Sequence, residues 1–367
     1  MMIVRAPVRV SFGGGGTDLA AYYERYGGMV VSAAITRYCY AQITEPSSSV
    51  GSVTSADYGQ RFHWTPERLP DVEPPLTLPK AALHEFAERG ALSGPVTLAL
   101  AADVPPGSGL GSSSAMAVAA LQALSTRYEA PLSDEEVAAR ACALEIDRLG
   151  MPIGKQDQYA SASGGMNAIE FTSDGVRVMP LRISPETRSA LDRRLLLFWT
   201  NHAHDSASIL RGQRADTQTR PDVVASLHEI KSIAHAMRAV LEAGKLDAFG
   251  RLLDDAWQTK RQLSAAISSN AIDEWYAEAK RAGALGGKIT GAGGGGFLLI
   301  YARPERHQAV RAAMLKCSLT EMPFAFDLDG VRRLARAPLG WRQRFTTTGI
   351  MTDSRLDGLS APIPCSA

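Results

Sequence analysis

Apolar and polar positions along the chain fall into two periods, and the switches between them lay out the elements. Residues 4–12, 29–35 and 38–44 alternate or run apolar and are cut by Gly and Pro, the pattern of strands. Residues 79–89 carry a helical pattern, and an apolar stretch at 95–102 leads into a Gly/Ser-rich loop. Two helical patterns follow at 112–128 and 133–149, the second opened by Ser133 with Glu136 three residues on, a capping-box start. Strand patterns return at 166–171, 176–180 and 194–200, and a mainly helical stretch covers 206–282. Strands at 286–290 and 297–301 flank a further glycine run, 304–316 reads as a helix and 321–327 as a last strand. Beyond Trp341, Thr, Ser, Pro and Gly dominate, which predicts a loosely held tail.

Composition narrows the class. A chain of 367 residues, 45% of them hydrophobic, can bury a full core and build two lobes. The formal net charge of +1, without a basic block or an acidic tail, predicts no nucleic-acid partner and no membrane partner. Any anionic substrate must then be held by local groups. The start Met1-Met2-Ile3-Val4-Arg5 lacks the features of a signal peptide and no apolar run reaches spanning length, so a cytoplasmic location is expected. Cys39, Cys142, Cys317 and Cys365 are scattered without CxxC pairing, which suggests reduced, structural thiols rather than zinc ligands or disulfides.

Three Gly-rich segments carry the chemistry. The first, Arg5-Ala-Pro-Val-Arg-Val-Ser-Phe-Gly-Gly-Gly-Gly-Thr-Asp18, sets four glycines directly after a strand; Thr17 and Asp18 could cap the helix that follows. The second, Asp103-Val-Pro-Pro-Gly-Ser-Gly-Leu-Gly-Ser-Ser-Ser-Ala115, reads as a loop feeding a helix N-terminus. There Gly107, Gly109 and Gly111 let amides approach an anion, and Ser112 to Ser114 add hydroxyls to the first turn. The third, Lys288-Ile-Thr-Gly-Ala-Gly-Gly-Gly-Gly-Phe297, could be a relaxed hairpin turn. Two runs of four glycines are costly to order, so both are expected to approach something closely, and a phosphorylated ligand fits.

The order of these motifs resembles the GHMP superfamily of galactokinase, homoserine kinase, mevalonate kinase and phosphomevalonate kinase, over about residues 5–327. The segment Gly154-Lys-Gln-Asp-Gln-Tyr-Ala160, followed by Gly164-Gly-Met-Asn167, is similar to the sugar-1-kinase branch acting on D-glycero-D-manno-heptose 7-phosphate. The resemblance implies an α+β, two-lobe GHMP kinase fold with mixed and antiparallel sheets packed against helices. Residues 1–185 would form an N-terminal ATP-binding lobe with the catalytic aspartate, 186–340 a C-terminal lobe with the third glycine motif, and 341–367 a tail. The implied cofactors are ATP and Mg2+, and the implied partner is a small phosphorylated sugar. A homo-oligomer stays possible.

Site residues follow from the same resemblance. Asp157 matches the catalytic aspartate that takes the proton of the anomeric hydroxyl, Arg9 the arginine beside it, and Lys155 is a reserve for Arg9. ATP would lie along Pro106, Gly107, Ser108, Gly109, Leu110, Gly111, Ser112, Ser113 and Ser114. The sugar would meet Gly15, Gly16, Thr17, Asp18, Gln156, Gly291, Ala292, Gly293 and Gly294. Magnesium would be held by Ser113 and Glu145, although Asp134 and Asp147 lie nearby and Glu145 could instead pair with Arg148 or Arg140. The loop lacks the Gly-Lys-Ser/Thr ending of a P-loop, so no lysine of that motif reaches the phosphates.

One departure bears on the substrate. Galactokinases have Gly-Glu-His-Thr-Asp where this chain has Gly14-Gly15-Gly16-Thr17-Asp18, so two large side chains are gone and room opens at the sugar's far end. A heptose with a C7 phosphate needs that room, and Lys288, Arg37 and Arg193 are candidates for gripping the phosphate. The resemblance implies phosphorylation at C1, giving a 1,7-bisphosphate destined for nucleotide-activated heptose and surface polysaccharide. A fucose- or hexose-type sugar-1-kinase and a non-catalytic sugar/ATP sensor are the alternatives. His202, His204 and Asp205 look like metal ligands but come from one short loop, and Trp257, Trp275 and Tyr276 read as core. Trp64 or Tyr58 could serve an adenine pocket.

Overall fold

A computed structural model of the chain describes residues 1–46, 48–202 and 206–336. Its architecture is α+β, with two sheets overlaid by helices. Strands β1 (Met2–Gly13), β2 (Gly28–Thr44), β3 (Gly51–Ser55), β4 (Gln60–Trp64), β5 (Thr97–Ala102), β6 (Met166–Thr172) and β7 (Gly175–Pro180) lie in the larger sheet. The smaller one holds β8 (Leu195–Trp199), β9 (Ala284–Ile289), β10 (Phe297–Ala302) and β11 (Thr320–Glu321) in the order β11-β8-β10-β9. The last described strand, β12 (Arg332–Arg336), returns to the larger sheet beside β1. Pairing is antiparallel except for the parallel β3–β5 pair, which makes the larger sheet mixed.

Helices α1 (Ala20–Tyr26), α2 (Thr77–Glu88), α3 (Ser112–Tyr128), α4 (Asp134–Cys142), α5 (Gln156–Ser163) and α6 (Pro185–Asp192) precede the smaller sheet. Then come α7 (Ser206–Thr219), α8 (Pro221–Glu242), α9 (Leu246–Arg261), α10 (Asn270–Arg281) and α11 (His307–Lys316). Helix α3 is central because its small side chains, among them Ala117, Ala119, Ala120 and Ala123, are fully buried and let it sit close to its neighbours. The Ser133–Glu136 capping box is formed at the start of α4. Past Cys142, α4 widens into a π-helical turn over Ala143–Arg148, an irregularity that recurs at functional sites. Glu145 sits inside that turn and is fully buried.

Two strand expectations change. Residues 29–35 and 38–44 are one strand, β2, carrying a bulge: Pro7 of β1 pairs with Tyr38 and Val8 with Ile35, so Thr36 and Arg37 are the extra residues. Residues 321–327 are not a strand along their length. Phe326 bridges Ile35, and Thr36 and Ala325 exchange two bonds, Thr36 N–H to the Ala325 carbonyl at 2.8 Å and Ala325 N–H to Thr36 Oγ1 at 2.9 Å. The segment therefore clasps the bulge of β2. The true closing strand, β12, is arginine-rich, as suits a sheet edge, and its charge hid it from an apolar-period reading. Among the described residues no helix is long and apolar enough to cross a membrane. The tail at 341–367 and residues His204 and Asp205 lie outside the described residues.

Candidate active site

The second and third glycine segments are stacked on each other. A Cβ on Gly109 would stand 2.7 Å from the Thr290 carbonyl oxygen, one on Gly291 2.7 Å from the Gly109 Cα, and one on Gly296 2.4 Å from the Ser108 carbonyl oxygen. Gly109, Gly291 and Gly296 also have positive φ, so both geometry and space demand glycine there. The loop delivers the chain to α3 through Gly111, a left-handed N-cap (φ 75°). No side chain among the described residues caps α3, so its first-turn amides remain available to an anion.

Directly beside this helix start stands an ion pair. Arg9, from β1, donates through Nε to Asp157 Oδ1 at 2.7 Å, and its Nη2 lies 2.6 Å from the same oxygen. Its Nη1 donates to the Gly109 carbonyl at 2.8 Å, tying the pair to the glycine loop. Asp157 comes from the first turn of α5 and keeps 21% of its side chain exposed, whereas Arg9 keeps 4%. Asp157 Oδ2 lies 2.8 Å from where a Gly111 Cβ would be, so Gly111 leaves room for that second oxygen. The arrangement offers a carboxylate with one oxygen engaged and the other turned to the cavity-lining loop.

A second carboxylate sits nearby under different terms. Ser113 Oγ donates to Glu145 Oε1 at 2.8 Å and Gln158 Nε2 to Oε2 at 2.7 Å. Burial pushes the Glu145 carboxyl up to about 7, against the lowering effect of bonds from Ser114, Ser113 and Gln158. The alternative of a pair with Arg148 or Arg140 is excluded, because Arg148 pairs with Glu88 and Arg140 with Glu85 and Glu129. A hydroxyl and a desolvated carboxylate with no Lys or Arg partner among the described residues form a hard-oxygen set that fits Mg2+.

Arg9, Asp157 and Ser113 open onto a cavity of about 180 Å³ lined also by Gly15, Gly16, Asp18, Gly107, Ser108, Gly109, Gly111, Ser112, Ser114, Gln156, Gly291 and Ala292, with Glu145 behind Ser113 and outside the lining. Asp18 is buried, accepts from Gly16 N–H at 2.9 Å and Gln156 Nε2 at 3.1 Å, and has its carboxyl raised by burial and by Asp157. A neighbouring cavity of about 500 Å³ shares Gly107, Ser112 and Ser113 and adds Tyr58, Pro75, Leu78, Pro106 and Met116. Trp64 is instead a core residue.

Several expected contacts point elsewhere. Leu110 is core, with its carbonyl accepting from Arg9 N–H, and Thr17 is buried with Oγ1 donating to the Gly14 carbonyl. Gly293 packs on Ile267 and Gly294 N–H donates to the Ile267 carbonyl, so both turn away from the cavity. Lys155 lies over the Tyr23 ring at 5.2 Å and is not a cavity residue. Of the proposed phosphate grips, Lys288 is buried and donates to the Ser11 carbonyl at 2.9 Å, Arg37 donates to the Thr36 and Pro323 carbonyls, and Arg193 to Ser189 Oγ. None of the three lines the cavity. His202 stacks on Trp275 at 6.2 Å, and among the described residues no cluster of His, Cys, Asp and Glu could hold a metal by itself.

The sequence reading missed Lys260. It lies at the end of α9, is buried, lines the cavity, and donates to the Gly291 carbonyl at 2.5 Å. Its ammonium is pulled down to about 8 by burial, which the Asp18 carboxylate opposes. The available signal was positional: α9 is strongly amphipathic, and Lys260 falls one turn after Ala256 and Trp257 on the buried face.

Comparison with known proteins agrees with this geometry. Residues 77–165 match the N-terminal domain of GHMP kinases and residues 236–318 the C-terminal domain. The chain is 29% identical over 334 residues to the D-glycero-alpha-D-manno-heptose 7-phosphate kinase of Campylobacter jejuni, covering 89% of this chain and 97% of that one. It is 30% identical over 321 residues to the bifunctional fucokinase/GDP-fucose pyrophosphorylase of Arabidopsis thaliana; this takes in 82% of the chain but only 30% of that longer protein. The crystal structure of a D-glycero-D-manno-heptose 1-phosphate kinase from Bacteroides thetaiotaomicron superposes with a TM-score of 0.77 at 28% identity, covering 92% of this chain and 100% of that one.

Proposed function

This chain belongs to the GHMP kinases, and we propose that it transfers the γ-phosphoryl group of ATP to the anomeric C1 hydroxyl of D-glycero-D-manno-heptose 7-phosphate. The observation that carries the reading is the Arg9–Asp157 pair, which lines the smaller cavity against the open N-terminus of α3, whose Ser112 and Ser113 line both cavities. Adenine would lie in the more apolar cavity beside Tyr58 and Pro106, and the phosphates would follow Gly107 to Ser114. Asp157 takes the proton of the C1 hydroxyl, whose oxygen bonds to the γ-phosphorus while the bond to the β–γ bridging oxygen breaks and ADP leaves. Arg9 anchors Asp157 Oδ1 and places positive charge beside the transferring group. Ser113 and Glu145 would hold Mg2+, which would supply charge neutralisation to the phosphates. Asp18 and Gln156 would meet ring hydroxyls. In lobe terms, 1–185 would carry the nucleotide and the base, and 186–340 the turn at Gly291 that closes the sugar side.

A fucose-type substrate is the second reading, favoured by the similarity to the fucokinase half of the Arabidopsis thaliana protein. ADP release measured with heptose 7-phosphate, unphosphorylated heptose, L-fucose and galactose separates the two, and 31P NMR of the product locates the new phosphate. Heptose 7-phosphate is expected to give the highest kcat/KM with a product phosphorylated at C1. Equal turnover of galactose or fucose would refute the heptose assignment.

A further inference from the structure

Three polar ends converge on the place where Gly15 lacks a side chain. A Cβ on Gly15 would stand 3.8 Å from Lys260 Nζ, 3.8 Å from Ser11 Oγ and 3.9 Å from Gln156 Nε2. Ser11 is 3% exposed, and its hydroxyl has no hydrogen-bond partner among the described residues. Gln213 of α7 lines the same cavity, is 2% exposed, and its Nε2 also has no partner among the described residues. Unsatisfied buried donors are uncommon in native proteins and call for a ligand or water. Among the described lining residues the cations are Arg9 and Lys260. Arg9 has its charge matched by Asp157 and is tied to the Gly109 carbonyl, whereas Lys260 has no carboxylate within ion-pair distance among the described residues and gives one of its three N–H bonds to the Gly291 carbonyl.

Resting on the substrate reading above, the geometry points to Lys260, with Ser11 and Gln213, as the seat of the sugar's own phosphomonoester. A dianion set beneath Gly15 gains a charge-assisted bond from Lys260 and satisfies the two orphaned donors, all three side chains being nearly buried. Gln156 gives one N–H of its Nε2 to Asp18, and its Oε1, also without a partner among the described residues, is left for a sugar hydroxyl. The empty position at Gly15 is what makes the seat possible. A carboxylate-bearing residue there would place its own charge against Lys260 and exclude the phosphate, so the seat accounts for glycine at position 15 as well as for the buried lysine.

The test measures KM and kcat for wild type, Lys260→Met and Lys260→Arg with the heptose 7-phosphate, the same heptose lacking its phosphate, and ATP as the varied substrate. Loss of one charge-assisted bond predicts that Lys260→Met raises KM for the phosphorylated sugar about 10- to 100-fold. KM for the unphosphorylated sugar and for ATP should stay within about twofold, and Lys260→Arg should recover part of the loss. If both sugars lose equally, or if kcat and the KM for ATP carry the loss, Lys260 serves the transferred phosphoryl group and the proposal is overturned. Should wild type turn over neither heptose, the substrate reading fails by itself. The seat is then judged by calorimetric titration of inorganic phosphate in the presence of ADP, where binding weakened in Lys260→Met supports it and unchanged binding refutes it. Thermal unfolding of each variant establishes that it is folded.

Discussion

Two carboxylates at the site stand on opposite terms: Asp157 lines the cavity, and Glu145 lies behind it, bonded to the lining residue Ser113. Asp157 is partly exposed and leans on Arg9, so its charge is matched by a partner the protein carries permanently. Glu145 is fully buried among the Ser113 and Ser114 hydroxyls and the Gln158 amide, with its carboxyl raised to about 7 by desolvation. The first arrangement suits a group that must act on a proton at any moment. The second, once deprotonated, leaves a negative charge with no cationic side chain beside it among the described residues, which makes the Glu145 side dependent on metal and on pH.

Removing the proton acceptor should give the largest effect. Asp157→Asn keeps a hydrogen-bond acceptor for Arg9 but removes the charge that balances it, so some loss of stability is expected, and kcat is expected to fall about 1000-fold with both KM values little changed. Steady-state kinetics with a melting curve check this. Activity within about tenfold of wild type would remove Asp157 as the base.

Next comes the metal side. Glu145→Gln keeps the shape and loses the charge, and the magnesium concentration needed for half-maximal rate should rise about 100-fold. The same comparison predicts a pH effect confined to wild type. Because the Glu145 carboxyl must be deprotonated to take a cation, the required magnesium should rise about tenfold for each pH unit below 7 and level off above it. A pH-independent requirement would place the metal elsewhere. Without metal, the raised carboxyl stabilises the fold most below 4.5, and that contribution is lost as pH rises through about 7. Metal-free Glu145→Gln should therefore be the more stable protein at pH 8, by on the order of 3 kcal/mol, and Mg2+ should raise the melting temperature of wild type more at pH 8 than at pH 6.

The two sides also differ in how far the sequence revealed them. Ser113, Asp157 and Arg9 sit in or beside motifs whose spacing is local, and the capping box at Ser133 marked the helix that carries Glu145. Nothing local marks the π-helical turn that swings Glu145 inward, since it depends on packing against α2 and α3. The glycine runs were legible as close approaches, but not what they approach. Gly15 and Gly16 line the cavity, whereas Gly293 and Gly296 make room for Ile267 and Ser108 of the same chain. Lys155 stands out in the sequence as a reserve for Arg9 because it neighbours Asp157. Its position at the N-cap of α5 sends it outward to Tyr23, while α9, a hundred residues further on, delivers Lys260 into the cavity. Contacts between distant segments carry no short-range signature, and the bulge in β2, clasped by residues near 325, went unseen for the same reason.

Lys260 gives the smallest effect and the opposite pH dependence to Glu145. Burial holds its ammonium near 8 against an ordinary 10.5, so at neutral pH the folded protein bears a desolvated charge that the unfolded chain keeps in water. Between about 8 and 10.5 the unfolded chain binds the extra proton, so wild-type stability rises with pH in that window. Lys260→Met removes the penalty but also the bond to the Gly291 carbonyl, which leaves a net gain of about 2 kcal/mol expected at pH 7. That gain should shrink toward pH 10. Denaturant titrations of both proteins at pH 7 and pH 10 measure it. A Lys260→Met variant less stable than wild type at pH 7 would mean that the lysine clamps α9 to the Gly291 turn for the sake of the fold, whereas a variant that is more stable yet poorer at binding the phosphorylated sugar shows a charge kept buried for its ligand.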